Sequence, residues 1–245
     1  MKVVFVGPSL PDAAKHAGTD IALRPPAVQG DVLRAVEDGA NIIGLVDGGF
    51  ENAAPVWHKE ILFALSLNVT VLGAASMGAL RAAECRAFGM IGIGRIYNDY
   101  VSGAVVDDAD VALLHEPIEL GSRALTVPMV NVRSTLDEME RLRLFDNAFR
   151  LALEQAALNL FFKKRTWALI VRACAAIPAS RKQYWLDMLR MHAIDQKRID
   201  ALALLEAVRD RDDQRVSTNR DWEFRRTTLW SEQLTRLKAR APLHP

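Results

Sequence analysis

Val69-Thr70-Val71-Leu72-Gly73-Ala74-Ala75-Ser76-Met77-Gly78 passes from a β-branched apolar run, through small turn residues, into the helix-forming segment Ala79-Leu80-Arg81-Ala82-Ala83. An apolar run without polar alternation reads as a strand buried on both faces of a parallel sheet. Ser76 stands where a cap belongs and Gly89 where a helix stops, which predicts a helix over 77–88. The same pattern occurs twice upstream. Val3 to Val6 ends in Gly7-Pro8-Ser9, and Asn41 to Val46 ends in Asp47-Gly48-Gly49. Between these strands, Asp31 to Asp38 stops at Gly39, and Val56 to Leu67 carries Pro55 at its expected first turn. Strand and helix alternating at this spacing predict an α/β fold with a doubly wound, mostly parallel sheet over residues 1–125.

The second half has a different period. Thr135-Leu136-Asp137-Glu138 matches a capping box and predicts a helix toward Leu144. Phe149, Ala152, Leu153, Ala156, Ala157, Leu160 and Phe161 form a helical stripe; Trp167 to Ile177 follows, then a long helix after Ser180. Residues 135–245 are therefore expected to form an all-helical C-terminal domain, with Trp167, Trp185, Trp222 and Trp230 as core anchors. Gly89-Met90-Ile91-Gly92-Ile93-Gly94 reads as a tight connection, because it follows a helix and lacks the strand-turn-helix context of a nucleotide loop.

Composition excludes several classes. With 50% hydrophobic and 25% charged residues, the chain is of ordinary globular type rather than disordered. Two cysteines far apart, Cys85 and Cys174, exclude a disulfide framework and a cysteine-rich zinc site. The apolar start is too brief for an export signal, and the stretch from Ile61 to Ala75 is interrupted by Ser66, Asn68 and Thr70, so a cytoplasmic protein without a membrane span is expected. Net charge near zero hides an asymmetry of −7 over residues 1–120 and +8 over 121–245. No nucleic-acid motif accompanies the basic half. Asp107-Asp108-Ala109-Asp110 with His115 lacks the spacing of a known metal site, so neither metal nor cofactor is expected.

Ligands of open α/β sheets bind beyond the carboxyl ends of the strands, which is where Gly7-Pro8-Ser9, Asp47-Gly48-Gly49 and Ser76-Met77-Gly78 converge. Ala74-Ala75-Ser76-Met77-Gly78 looks like a relaxed nucleophile elbow, with Ala in place of the first Gly. Such a turn would present the Ser76 hydroxyl as nucleophile, with the backbone N–H groups of Met77 and Gly78 and the helix dipole facing a developing oxyanion. Alternatively, Ser76 is an ordinary cap. His58, sharing a helix face with Ile61, Leu62 and Leu65, and Lys59 are the candidate bases; Asp47 would orient one of them or close its own turn.

Taken in order, Gly7-Pro8-Ser9-Leu10, Arg24-Pro25-Pro26-Ala27, Gly30-Asp31, Asp47-Gly48-Gly49-Phe50, Val56-Trp57-His58-Lys59-Glu60-Ile61-Leu62, Gly73-Ala74-Ala75-Ser76-Met77-Gly78-Ala79-Leu80-Arg81-Ala82-Ala83-Glu84 and Asp107-Asp108 resemble the core of TfuA-like proteins over about residues 1–120. A second serine often precedes the matching one in that family; here its place holds Ala75. The resemblance implies a YcaO-type partner enzyme that uses ATP to convert a peptide amide to a thioamide. It also implies a sulfur supply, by hydrolysis of a ubiquitin-like sulfur-carrier protein with a C-terminal thiocarboxylate. In that reading Ser76, His58, Lys59 and Asp47 are catalytic, and Gly7, Pro8, Ser9, Met77, Gly78 and Arg81 bind substrate or oxyanion. The alternative is a non-catalytic adaptor that positions the carrier or precursor peptide on the YcaO enzyme. The charge asymmetry predicts docking of the basic half on an acidic protein surface, so affinity for such a partner should fall as salt is raised; an affinity indifferent to salt would refute this.

Overall fold

The computed structural model describes residues 1–49, 51, 53–117, 120–217 and 220–239; Phe50 of the Asp47 motif lies outside the described residues. Five strands, β1 (Lys2–Phe5), β2 (Ile21–Arg24), β3 (Ile42–Leu45), β4 (Thr70–Ala74) and β5 (Ile91–Ile93), form one sheet in the order β2-β1-β3-β4-β5, all parallel. This is the strand order of a doubly wound sheet whose switch point falls between β1 and β3. The connecting helices are α1 (Asp31–Glu37), α2 (His58–Ser66), α3 (Met77–Cys85) and α4 (Arg95–Ser102). The region from Met129 onward is helical: α5 (Met129–Arg141), α6 (Asn147–Leu158), α7 (Trp167–Ala173), α8 (Lys182–Met191), α9 (Gln196–Arg209) and α10 (Thr228–Ala239).

A parallel sheet needs both faces covered. On one face Val3, Phe5, Ile43, Leu45 and Val71 pack against Val32 and Val36 of α1, Ile61 and Leu65 of α2, and Ala82 of α3. On the other, Val4, Ile42, Val46 and Leu72 meet Ala201, Leu204, Leu205 and Val208 of α9. The second layer is thus supplied by a helix from the basic half. A Cβ on Gly44 of β3 would stand 2.7 Å from Leu204 Cδ2, so glycine leaves room there for the Leu204 side chain. The same helix reaches β5's follower: Asp200 accepts from the N–H groups of Arg95 (3.1 Å) and Ile96 (2.8 Å), capping α4 across the chain. Helices α5 to α8 enclose a second core of Met129, Leu136, Met139, Leu153, Ile170 and Leu189. Trp230 of α10 is fully buried beside Leu33 of α1.

Several local expectations need correction. Pro55 does not open α2; it bridges Val28, and α2 begins at His58. The Gly89–Gly94 segment is not merely a connection, since it holds edge strand β5, where Gly92 makes room for the Tyr97 ring. Thr135 caps nothing. Helix α5 starts after Pro128, and the buried Thr135 hydroxyl donates to the Asn131 carbonyl (2.8 Å) and accepts from Ile194 N–H (2.9 Å). The charge asymmetry is partly answered within the chain: Asp12 pairs with Arg198 (2.5 and 3.0 Å), Asp110 with Arg133 (2.7 Å), and Arg95 with Asp137. Among the described residues no helix is long and apolar enough to cross a membrane.

Glu60, fully buried on α2, ties two helix starts together by accepting from Gly30 N–H (2.8 Å), Leu33 N–H (3.4 Å) and Trp57 N–H (3.4 Å). Burial pushes its carboxyl from 4.5 up to about 7, against the pull of those three donors. A group whose pKa is raised by folding favours the folded state below its unfolded pKa, and that advantage is lost as pH rises through the folded value. Urea denaturation should therefore show stability falling by about 3 kcal/mol between the two pKa values and levelling above the upper one. Glu60→Gln should flatten the profile, and an unchanged slope in that variant would assign it to another group.

Candidate active site

A cleft of about 390 Å³ opens at the carboxyl edge of the sheet, over the β1/β3 switch point. Pro8 follows β1, Pro26 follows β2, Asp47 to Gly49 follow β3 and Ser76 follows β4; Val111 to His115, Phe162, Lys163 and Lys197 close the other side. Two prolines after Arg24 end β2, since proline lacks the ladder donor. The chain then crosses above β1, and Ala27 bridges Gly48, which brings Pro26 to the cleft.

Asp47 is 3% exposed and acts first as a clamp on the β1 turn. Its Oδ2 accepts from the N–H groups of Gly7 and Ser9, both at 2.9 Å, and its Oδ1 accepts the Ser9 hydroxyl at 2.6 Å. The predicted convergence of Gly7-Pro8-Ser9 on Asp47 is therefore a bonded arrangement. Only Pro8 of the three lines the cleft.

Ser76 sits on a strained turn. Ala75 has φ +66°, and Ser76 N–H donates to the Ala74 carbonyl at 2.7 Å, closing a three-residue γ-turn with positive φ, a rare conformation for a side-chain-bearing residue. The strained residue is thus Ala75, and its methyl joins the α9-side core. Ser76 itself lines the cleft, and its hydroxyl makes no capping bond to α3. The two expected oxyanion donors separate here. Gly78 N–H is committed to the Val46 carbonyl (3.1 Å), whereas Met77 N–H has no acceptor among the described residues. A Cβ on Gly78 would lie 1.8 Å from the Leu45 carbonyl oxygen, so this residue serves the close contact of α3 with β3.

His58, Lys59 and Arg81 do not line the cleft. His58, about half exposed, has Nε2 2.8 Å from Glu84 Oε2 on α3. The same carboxylate oxygen accepts from Arg81 Nη1 (2.5 Å), and the buried Arg81 donates Nε–H to the Val56 carbonyl (2.9 Å). Burial works against ionisation of Glu84, but His58 and Arg81 together hold its carboxyl below the usual range. Lys59 lies over the Phe224 ring, 4.6 Å from the centroid. The sequence reading missed Lys197. This residue of α9 is 2% exposed, its Nζ donates to the Val111 carbonyl at 2.8 Å and stands 4.0 Å from Asp47 Oδ1, and burial pushes its amine below the ordinary lysine range while Asp47 and Asp195 pull it back. A signal was present: Lys197 lies in the stripe of Ala201, Leu204 and Val208, at helical spacing, where an apolar residue is expected. Among the described residues no group of three or more His, Cys, Asp or Glu could hold a metal.

Compared with models of protein families, residues 47–166 match the family described as TfuA-like protein. This part of the chain is TfuA-like. The match starts at Asp47 and contains His58, Lys59, Ser76, Met77, Gly78, Arg81, Glu84 and Asp107-Asp108, and it extends past the residues on which the sequence resemblance rests, to the start of α7. It leaves Gly7-Pro8-Ser9 and Lys197 outside. No curated protein matches the chain. The TfuA-like family is associated with YcaO-dependent thioamidation.

As the clamp on this turn, Asp47 cannot be truncated cheaply: Asp47→Ala strands three donors, two of them buried, and should cost about 2 kcal/mol or more in urea denaturation, at roughly 1–3 kcal/mol for each buried one. Asp47→Asn, whose amide oxygen still accepts the two N–H groups, should lose far less. Equal losses in the two variants would contradict the clamp.

Proposed function

We propose that this protein supplies sulfur for YcaO-dependent peptide thioamidation by hydrolysing the C-terminal thiocarboxylate of a ubiquitin-like sulfur-carrier protein. The observation that carries the reading is the Ser76 hydroxyl, free of the helix cap and facing a cleft at the switch point of a TfuA-like sheet. A thiocarboxylate is an anionic acyl compound. Hydrolysis requires a nucleophile at the carbonyl carbon, a donor for the oxyanion and a route for one proton.

In this reading Ser76 Oγ attacks the carbonyl carbon, Met77 N–H and the N-terminus of α3 stabilise the oxyanion, and the carbon–sulfur bond breaks to leave sulfide and an acyl-serine ester. Water then cleaves the ester. Over the cycle one thiocarboxylate anion and one water yield one carboxylate anion and one hydrogen sulfide. The sulfur leaves well only as hydrosulfide, so the weight of catalysis falls on moving the proton of the attacking oxygen to the departing sulfur. Asp47 holds the cleft wall through Ser9. His58 and Arg81, joined through Glu84, brace α2 against α3 outside the cleft.

A specific observation keeps the adaptor reading in play: the elbow's strained residue is Ala75 and a single oxyanion donor is free. Purified protein mixed with thiocarboxylated carrier, without YcaO enzyme or ATP, separates the two readings. Hydrolysis predicts sulfide release that Ser76→Ala lowers by orders of magnitude. Because the hydroxyl caps nothing, that variant should keep its stability to well within the ~1 kcal/mol of a lost cap. Release of no sulfide by the wild type, with retained stimulation of the YcaO reaction, would establish the adaptor instead.

A further inference from the structure

We infer that Lys197 is the proton acceptor for the attacking oxygen at Ser76, an inference that rests on the hydrolytic reading of the cleft. Helix α9 runs antiparallel to the strands, with its C-terminal end beside Lys2, whose Nζ donates to the Arg209 carbonyl (2.8 Å), and its first turn at the carboxyl edge. The apolar stripe that covers the sheet therefore ends, one turn before Ala201, on a side chain that lines the same cleft as Ser76. Methionine or leucine there would continue the apolar stripe. The position holds instead an amine at 2% exposure.

Its surroundings suit a neutral amine. An ammonium group carries three N–H donors, but among the described residues Lys197 Nζ has one hydrogen-bond partner, the Val111 carbonyl. Asp47 Oδ1, the nearest carboxylate oxygen from the sheet at 4.0 Å, is occupied by the Ser9 hydroxyl. The charged groups facing the amine are Asp47 from the end of β3 and Asp195, which caps its own helix; Lys163, paired with Glu51 at 2.5 Å, and His115 also line the cleft. Incomplete pairing and burial both favour the uncharged form, which is the form that accepts a proton.

The bonding change is simple. As Ser76 Oγ bonds to the acyl carbon, its proton passes to Lys197 Nζ, giving an ammonium ion next to Asp47. The ammonium returns that proton to the departing sulfur, and the neutral amine then takes a proton from the water that cleaves the ester and passes it to Ser76 Oγ. No oxidant or further reactant is needed.

The test is kcat/KM for sulfide release from thiocarboxylated carrier, measured against pH for wild type, Lys197→Met and Lys197→Arg. Methionine suits the apolar stripe, so Lys197→Met should fold with an unchanged or higher Tm while the rate falls by about 100-fold or more. Lys197→Arg keeps a positive charge but cannot accept a proton, and should be equally slow. The wild type should show a rising limb with its midpoint below the ordinary lysine range, absent from both variants. Recovery of the rate by arginine, or a full rate and unchanged pH profile in Lys197→Met, would overturn the inference while leaving the hydrolytic function standing. A wild type that releases no sulfide would instead overturn the function, and the inference with it.

Discussion

Helix α9 lies against β3 directly over Gly44, and much of the molecule follows from that contact. A Cβ on Gly44 would meet Leu204 at 2.7 Å, Val4 at 3.0 Å and Val208 at 3.3 Å, three side chains from two layers at one point. With α9 in place, the second face of the parallel sheet is closed, and burial of side chains such as Leu204 and Val208 contributes roughly 1.5–3 kcal/mol each. The same placement fixes α4 through Asp200 and holds the Ala13–Lys15 turn through Arg198 and Asp12. It also decides what stands at the carboxyl edge, because the first turn of α9 brings Lys197 into the lining of the switch-point cleft.

The cleft's other wall is set by backbone approach rather than by side chains. A Cβ on Gly73 would fall 2.1 Å from the Gly78 carbonyl oxygen, and one on Gly78 would fall 1.8 Å from the Leu45 carbonyl oxygen. Strand β4, the first turn of α3 and the end of β3 are therefore in van der Waals contact through their main chains. A wider turn cannot connect them, so the chain accepts a positive φ at Ala75, a conformation costing about 1–2 kcal/mol for a residue with a Cβ. Ser76 emerges from that turn with its backbone at φ −128°, ψ −131°, too far from ordinary cap geometry for its hydroxyl to reach back to α3. Strain and the free hydroxyl have one cause.

These features differ in how visible they are in a sequence. Strands β1, β3 and β4 are central, so both faces are apolar and the runs Val3 to Val6, Asn41 to Val46 and Val69 to Leu72 stand out. The edge strands do not: in Ile21–Arg24 only Ile21 is buried, and Ile91–Ile93 is three residues with a glycine at its centre. Thr135-x-x-Glu138 imitates a cap because a buried threonine that bonds back to Asn131 has the same local spelling as one that starts a helix. In the site, Asp47 and Ser76 were legible because strand ends are predictable positions. Lys197 was legible only as a lysine out of place in an apolar helical stripe; that it stands at the cleft depends on which helix returns to cover the sheet, a long-range choice that the stripe does not encode.

The motif residues of the TfuA-like region divide accordingly. Asp47 and Ser76 meet at the cleft, while His58, Arg81 and Glu84 meet outside its lining, since Ser76 and Arg81 are five residues apart and so lie on different faces of the turn and helix they share. Arg81 is spent on the Val56 carbonyl and on Glu84, which fixes the start of α2 relative to α3 and so holds the β3–α2 connection that forms one lip of the cleft. The opposite lip comes from Phe162, Lys163 and Lys197, all from the half of the chain that carries the positive charge. An acidic α/β half and a basic helical half therefore share one cavity, in which Lys197 Nζ stands 4.0 Å from the Asp47 carboxylate without a hydrogen bond between them. The opposite charges of the two halves meet instead along the seam between them, as Asp12 with Arg198 and Asp110 with Arg133.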